Sequence, residues 1–347
     1  MDWYIKAATA AGALALPDHI QIPLRRKAVA QQARGLSPHA GSAGVFAQWM
    51  SFQSAATPAT TGTMLPAAFF ASFLGPQMHT GSALFVSETD TLMNAEHNAL
   101  LAVCADAALA DGQDILELGC GWGAMSLLMA ESFPRARITA VTRSHRQHAY
   151  VSAQAQARGL HNVIVLRREF SDLEAPASFD RVVALDAFSH TANWRVMLGN
   201  MRFWLKPGGK VFIQTPSHIT TPYRPARSDI SCCLSPAIMP SQGLMRQFGE
   251  AFGIEAERHW RGAHPARTLR HWLQNFDRAT GATLRILRAT HGREAETWHR
   301  RWRAHFIGTE QMFRHAFGDV WGISSFRLAP IPLPAPHNAR AVFHAAS

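Results

Sequence analysis

Between Asp114 and Gln214 the chain alternates short apolar runs with stretches of helical spacing and tight turns. AspIleLeuGluLeu from Asp114, ArgIleThrAlaVal from Arg137 to Val141, AsnValIleValLeuArg from Asn162 to Arg167, PheAspArgValValAlaLeu from Phe179 to Leu185, and LysValPheIleGln from Lys210 to Gln214 read as five strands. Runs this short and this continuously apolar suit strands covered on both faces. Helices are expected between them, over Met125 to Ser132, Ser144 to Arg158 and Trp194 to Leu205, the last stopped by Lys206, Pro207, Gly208 and Gly209. Strand and helix in strict alternation with short turns predict the α/β class, a doubly wound, mainly parallel sheet. Its ligand should lie beyond the carboxyl ends of the strands.

The flanks differ. Residues 1–110 read as a helical region of their own, with an amphipathic helix at Pro23 to Arg34 and another from about Met93 to Ala110, ended by Asp111 and Gly112. Ser37 to Thr63, rich in Gly, Ser, Thr and Ala, reads as a loop or partial helix. Beyond Thr215 the pattern predicts an irregular cap to about 250, a strand at Gly253 to Trp260, and helices through Arg267 to Phe317. A strand at Trp321 to Leu328 then closes the sheet. The tail from Ala329, with Pro330, Pro332, Pro334 and Pro336, should be loosely held.

With 347 residues, 47% hydrophobic and 17% charged, the chain can build a core of about two domain equivalents. Its net charge of +10 is carried by Arg, which supplies 30 of the 34 basic residues. Arg and His recur among Trp260, Trp272, Trp298 and Trp302, so nucleic acid, an anionic lipid surface or an acidic ligand could meet this face. No helix-turn-helix, zinc or RNP signature accompanies it, which argues against nucleic acid. Cys104, Cys120, Cys232 and Cys233 lack metal spacing and fit a reducing, cytoplasmic compartment; no metal site is expected. No apolar run reaches the roughly 20 residues of a membrane span. The faintly signal-like Ala7 to Leu16 follows Asp2 and a lone Lys6, and reads better as a helix.

The chemistry centres on Gly119, Cys120, Gly121, Trp122, Gly123 and Ala124, a glycine turn between the first strand and its helix. Such a turn lets the backbone approach a ligand, and the helix start behind it favours an anion. With Ala124 in last place it satisfies the dinucleotide fingerprint, and Arg143 after the second strand could serve a 2′-phosphate. Glu117, an acid just before the glycines, is instead well placed for the α-amino group of S-adenosylmethionine.

Glu117, PheAspArgValValAlaLeuAsp and TrpLeuLysProGlyGlyLysValPhe together resemble a class I S-adenosylmethionine-dependent methyltransferase. SerPheProArgAlaArgIleThrAlaVal, GlyLeuHisAsnValIleValLeu, HisTrpArgGlyAlaHisProAlaArgThrLeu and TrpGlyIleSer are similar to the coclaurine N-methyltransferase branch of the cyclopropane fatty acid synthase family, from about Gly81 to Leu328. The resemblance implies S-adenosylmethionine as cofactor and S-adenosylhomocysteine (SAH) as product. It places Thr142, Ser144 and Gln147 on the ribose and methionine side and Glu169 and Phe170 at the adenine. Gly81 and Ser82 would lie in a turn closing over the cofactor, where Thr80 replaces the usual Tyr. Glu117, Gly119, Cys120 and Gly121 complete the expected cofactor set. The chain then divides into a helical region and lid (1–110), a cofactor-binding core (111–215), a cap with closing strands (216–328) and a tail (329–347).

LeuAspAlaPheSerHis, Leu185 to His190, follows the fourth strand, where the amine branch carries two acids before a His. The resemblance implies His190 as proton acceptor or amine-orienting base, with Asp186 supplying negative charge. Ser189 stands where the second acid would be. The lipid-cyclopropanating branch holds a bicarbonate base with Cys, Glu, His and Tyr, and the matching positions here are Ser82, Ser189, Gln214 and Pro265, all different. Phe188, Ser189, Tyr223, Trp260 and Trp321 are the candidates to line the acceptor pocket. The expectation is therefore an S-adenosylmethionine-dependent methyltransferase acting on a small-molecule acceptor, first an amine nitrogen. An unsaturated lipid or other carbon acceptor is the alternative, and a basic membrane-surface or nucleic-acid binder on the same scaffold the second. A homodimer is compatible with the sequence.

Overall fold

The structure is a computed structural model, and it describes residues 16–36, 42–53, 65–175, 178–191, 193–225 and 238–332. Ala7 to Ala15 of the signal-like stretch, Cys232, Cys233 and the tail beyond Pro332 lie outside the described residues.

Seven strands form one sheet: β1 (Asp114–Leu118), β2 (Arg137–Thr142), β3 (Val163–Arg167), β4 (Phe179–Leu185), β5 (Leu205–His218), β6 (Phe252–Arg261) and β7 (Trp321–Pro330). Their order is β3-β2-β1-β4-β5-β7-β6. The first five run parallel, and β7 pairs antiparallel with both β5 and β6. The central strands are covered on both faces, and successive residues go to opposite sides. Val182, Ala184, Val211 and Ile213 enter one core, whereas Val183 and Phe212 enter the other.

Eleven α-helices are numbered in chain order among the described residues. The N-terminal ones are α1 (Asp18–Gly35), α2 (Ser42–Ser51), α3 (Ala67–Ala71) and α4 (Leu92–Asp106). Those between strands are α5 (Ala124–Ser132), α6 (His145–Ala157), α7 (Ala187–His190) and α8 (Trp194–Trp204). Three more follow β6: α9 (Ala263–Arg278), α10 (Thr280–His291) and α11 (Ala295–Arg314). One face of the sheet packs on α8 and α2 through Trp194, Met197, Met201, Trp204 and Met50. The other packs on α4 and α5 through Leu100, Val103, Met125 and Met129. Caps set the starts: the Thr91 hydroxyl accepts from Asn94 N, Ser144 from Gln147 N and the Asn193 side chain from Val196 N.

A third core joins the two flanks of the sequence. Phe69, Phe70 and Phe73 in and beside α3 meet Trp272, Phe276, Trp302 and Phe306 of α9 and α11. The rings adopt mostly edge-on contacts, Phe69 and Trp302 with centroids 5.0 Å apart. α1, α3 and the start of α4 thus form one layer with α9, α10 and α11, seated over the carboxyl end of β1 where Trp122 meets Phe70 in a tilted contact at 5.0 Å.

Two sequence expectations are corrected. β5 begins at Leu205 rather than Lys210, because Lys206 to Gly209 form an irregularity between the Phe179–Leu205 and Arg181–Lys210 pairs rather than a terminating turn. It also runs past Pro216 to His218, held by β7 along its whole C-terminal half.

Candidate active site

The glycine turn is anchored before it is shaped. Gly119 N and Cys120 N both donate to Val141 O, at 2.9 and 3.1 Å, tying the turn to the end of β2. Gly119 and Gly121 take φ of +77° and +54°, a region costly for a side chain. A Cβ on Gly119 would lie 3.3 Å from Ala187 Cβ and 3.6 Å from Phe170 Cζ, so the turn is pressed between α7 and Phe170. Beside Gly121 the space is open as far as Thr80 Oγ1, 3.8 Å away. This cradle faces a cleft lined by Met78, His79, Thr80, Gly81, Glu117, Gly119, Cys120, Gly121, Trp122, Leu185 and Asp186.

Six of the residues expected from the sequence therefore meet here: Gly81, Glu117, Gly119, Cys120, Gly121 and Asp186. Glu117 is 2% exposed, and its carboxylate accepts a hydrogen bond from Ser126 Oγ. Burial pushes it up to about 7, against the smaller opposing effect of Ser126. Asp186 is also pushed up to about 7 by burial, and its backbone sits at φ +59°, turning the carboxylate out of the β4 line. Cys120 is a free thiol pushed well above its ordinary range by burial.

Thr142, Ser144 and Gln147 form a knot at the start of α6. Thr142 Oγ1 donates to Gln147 Oε1 at 2.7 Å, and Ser144 N donates to Thr142 Oγ1 at 3.2 Å. Glu169 faces Arg143 at 3.8 Å, and Phe170 closes the far edge of the glycine turn. Ser82 is buried with its hydroxyl on the Ala83 carbonyl, 3.1 Å away.

The remaining candidates stand elsewhere. His190 ends α7 outside the cleft lining, lowered to about 4 by burial and then by the Arg143 charge. Phe188 packs on Trp194 in the core beside α8, and Ser189 Oγ donates to Asp186 O at 2.7 Å. Trp260 packs with Ala99 and Ile323, on the β6 edge. Trp321 Nε1 donates to the Tyr223 hydroxyl at 2.9 Å beside His218. Trp321 joins the core of the helical layer, Trp260 packs on Ala99 of α4, and neither lines the cleft.

Sequence reasoning missed His79. It belongs to no motif; the available signal was its place directly before the expected Thr80–Gly81–Ser82 turn. The basic helical face is also altered by folding. Arg258, Arg270 and Arg303 pair with Asp106, Glu310 and Asp18, acids remote in sequence, so much of its charge is answered within the fold. Among the described residues no cluster suited to a metal ion is present, and no helix is long and apolar enough to cross a membrane.

The family model for mycolic acid cyclopropane synthetase matches residues 64–323, three quarters of the sequence, including the cleft and the helices from α3 to α11. The chain belongs to that family. Within it, the chain is 28% identical over 269 residues to (S)-coclaurine N-methyltransferase of Thalictrum flavum subsp. glaucum, covering 74% of each. It is 27% identical over 209 residues to cyclopropane-fatty-acyl-phospholipid synthase of Escherichia coli (strain K12), covering 60% of this chain and 53% of that one. The crystal structure of a coclaurine N-methyltransferase bound to N-methylheliamine and SAH superposes with a TM-score of 0.84 at 22% identity, covering 94% of this chain and 98% of that one. The likeness supports the class I methyltransferase fold expected from the sequence, with its seven-stranded sheet and antiparallel β7.

Proposed function

We infer that this family member is an S-adenosylmethionine-dependent methyltransferase whose small-molecule acceptor presents an amine nitrogen. The observation that carries this is Asp186: an acid at the carboxyl end of β4, facing the same cleft as Glu117 and the open side of Gly121. The residues fit the cofactor. The buried Glu117 carboxylate suits the α-amino group, the helix start behind the glycines suits the α-carboxylate, and the glycine cradle leaves room beside Gly121. When bound, the cofactor supplies a methyl group on a sulfonium, itself a good leaving group.

What remains for the protein is positioning and proton handling. Gly119 and Gly121 admit the ligand, Thr142, Ser144 and Gln147 border its far side, and Glu169 and Phe170 flank its other end. Asp186 holds a cationic acceptor on the methyl axis. A base must take the proton that keeps the nitrogen lone pair closed, and the family pattern offers His190, four residues beyond Asp186, as the first candidate. The relatives named for N-methylation of coclaurine, in Thalictrum and Papaver, support an amine acceptor.

The carbon-acceptor reading finds less support. Ser189 is tied to a backbone carbonyl and Ser82 likewise, Gln214 is 2% exposed within β5, and Pro265 is buried in α9. None of the four presents an ionisable group to hold a bicarbonate. We further place the protein in a reducing cytoplasmic compartment, in keeping with the free thiols of Cys104 and Cys120.

The test is calorimetric titration with S-adenosylmethionine, SAH and, as control, NADPH, followed by methyl transfer to a panel of secondary amines and to vesicles of unsaturated phospholipid. Binding of both sulfur ligands and methylation of amines is the expected result. Methylation of the vesicles alone would replace the amine reading by the carbon one.

A further inference from the structure

His79 is 6% exposed and lines the cleft, yet its Nε2 has no hydrogen-bond partner. A buried ring nitrogen without a partner is unusual enough to require a reason. Its direction supplies one. A Cβ built on Gly81 would stand 2.9 Å from His79 Nε2 and 3.3 Å from Asp186 Oδ2, so both groups close on Gly81 with less than a carbon's room between them and its backbone. A neutral imidazole carries one N–H and one lone pair, and an unpartnered Nε2 can hold the lone pair and accept a proton from a ligand.

We propose that His79 Nε2 contacts the acceptor nitrogen and removes its proton, with Asp186 across Gly81 steadying the resulting charge pair. This rests on the amine reading above and gives the proton to His79 rather than His190. The step balances: the acceptor ammonium yields one proton to Nε2, and its freed lone pair forms the N–C bond. The C–S bond breaks with its electron pair retained by sulfur, leaving a methylated ammonium, SAH and an imidazolium that then releases its proton to solvent.

Burial lowers His79 to about 4 in the ligand-free protein, which keeps Nε2 unprotonated but makes it a weak base there; it takes the ammonium proton with the Asp186 carboxylate alongside, whose negative charge favours the imidazolium. The other titratable groups of the cleft are Asp186, Glu117 and Cys120, and Glu96 bonds the Gly75 and Gln77 backbone of the same loop. Of these, only Asp186 shares the space beside Gly81.

The experiment compares the full-length protein with His79→Gln and His190→Gln, using tetrahydroisoquinoline as amine probe. kcat and KM are followed from pH 6 to 10, and SAH affinity is measured in parallel. His79→Gln should keep SAH binding and lose about a hundredfold in kcat at pH 7, recovering as pH rises and the amine frees its own lone pair. His190→Gln should lose less and keep the wild-type pH profile. Unchanged turnover in His79→Gln, a loss equal at every pH, or a pH-dependent loss confined to His190→Gln would each overturn the proposal. If His79→Gln fails to bind SAH, ring nitrogen NMR of the wild type with SAH decides: adding the amine should shift His79 Nε2, and a shift at His190 alone refutes it. A wild type that methylates lipid but no amine sinks the amine reading itself, and this proposal with it.

Discussion

Asp186 Oδ2 and His79 Nε2 approach one another from β4 and from the loop before α4, separated by the missing side chain of Gly81. The space exists because position 81 has no Cβ. Gly81→Ala would bring a methyl within 2.8 Å of the His79 ring, closer than side-chain carbons tolerate, so ring or loop must shift. A displacement of that order costs up to about a hundredfold in turnover. Steady-state kinetics should show kcat reduced with SAH affinity kept, and an unimpaired kcat would mean the two groups do not act across that gap.

Glu117 predicts a pH dependence of opposite kind for stability and for binding. Its folded-state value of about 7 lies above the ordinary 4.5, so its contribution to stability is present below about pH 4.5 and is lost as pH rises through 7. The ligand-free protein should therefore lose up to about 3 kcal/mol from this group over that window, and Glu117→Gln should be spared that loss. Cofactor affinity should move the other way, tightening from pH 6 to 8 as the carboxylate ionises, and should be weak in Glu117→Gln. Denaturant midpoints and titrations at pH 5, 6.5 and 8 separate the two effects; parallel curves for wild type and variant would refute both.

Gly121→Arg tests the cradle. Position 121 has φ +54° and open space beside it, so the arginine occupies the ligand's room at a backbone cost of about 1–2 kcal/mol. Calorimetry should register no SAH binding by a protein that still unfolds cooperatively. Retained affinity would place the cofactor away from this turn.

Trp302 is fully buried among Phe69, Phe70, Phe73 and Phe306. Trp302→Ala should cost about 3–5 kcal/mol, the range for emptying an aromatic core position. Hydrogen exchange should report the loss first in α3 and α11, with β1 and β4 still protected. Uniform loss across the sheet would show that helical layer and sheet unfold as one unit.

The sheet was legible because the covered strands write themselves as short apolar runs between glycine and aspartate turns. β1 to β4 accordingly fall within a residue of their expected bounds. β5 was read short, since Lys206, Pro207, Gly208 and Gly209 look like a stop, whereas pairing with β4 before and after them carries the strand through an irregularity. At the site, the glycines, Glu117 and Asp186 belong to motifs next to strand ends and were readable. His79 was not, because its significance depends on an unpartnered nitrogen and on a glycine two residues away, neither of which has a sequence pattern. Trp260 and Trp321 looked like pocket walls for a simple reason: one sequence cannot tell an indole facing a ligand from one facing another helix.

The aromatic cluster over the glycine turn has a consequence for how the molecule is made. Its two halves, Phe69 to Phe73 and Trp272 to Phe306, are separated by about two hundred residues that include most of the sheet. During synthesis the parallel strands can close on one another while the first half of the cluster has Trp122 but not yet its partners from α9 and α11, since domains assemble as chain becomes available. The cofactor's floor is thus complete long before its roof. A ribosome stalled near residue 260 would carry a folded floor with bare phenylalanines beside it, and the nascent chain needs protection from aggregation during that interval rather than at the start or the end of translation.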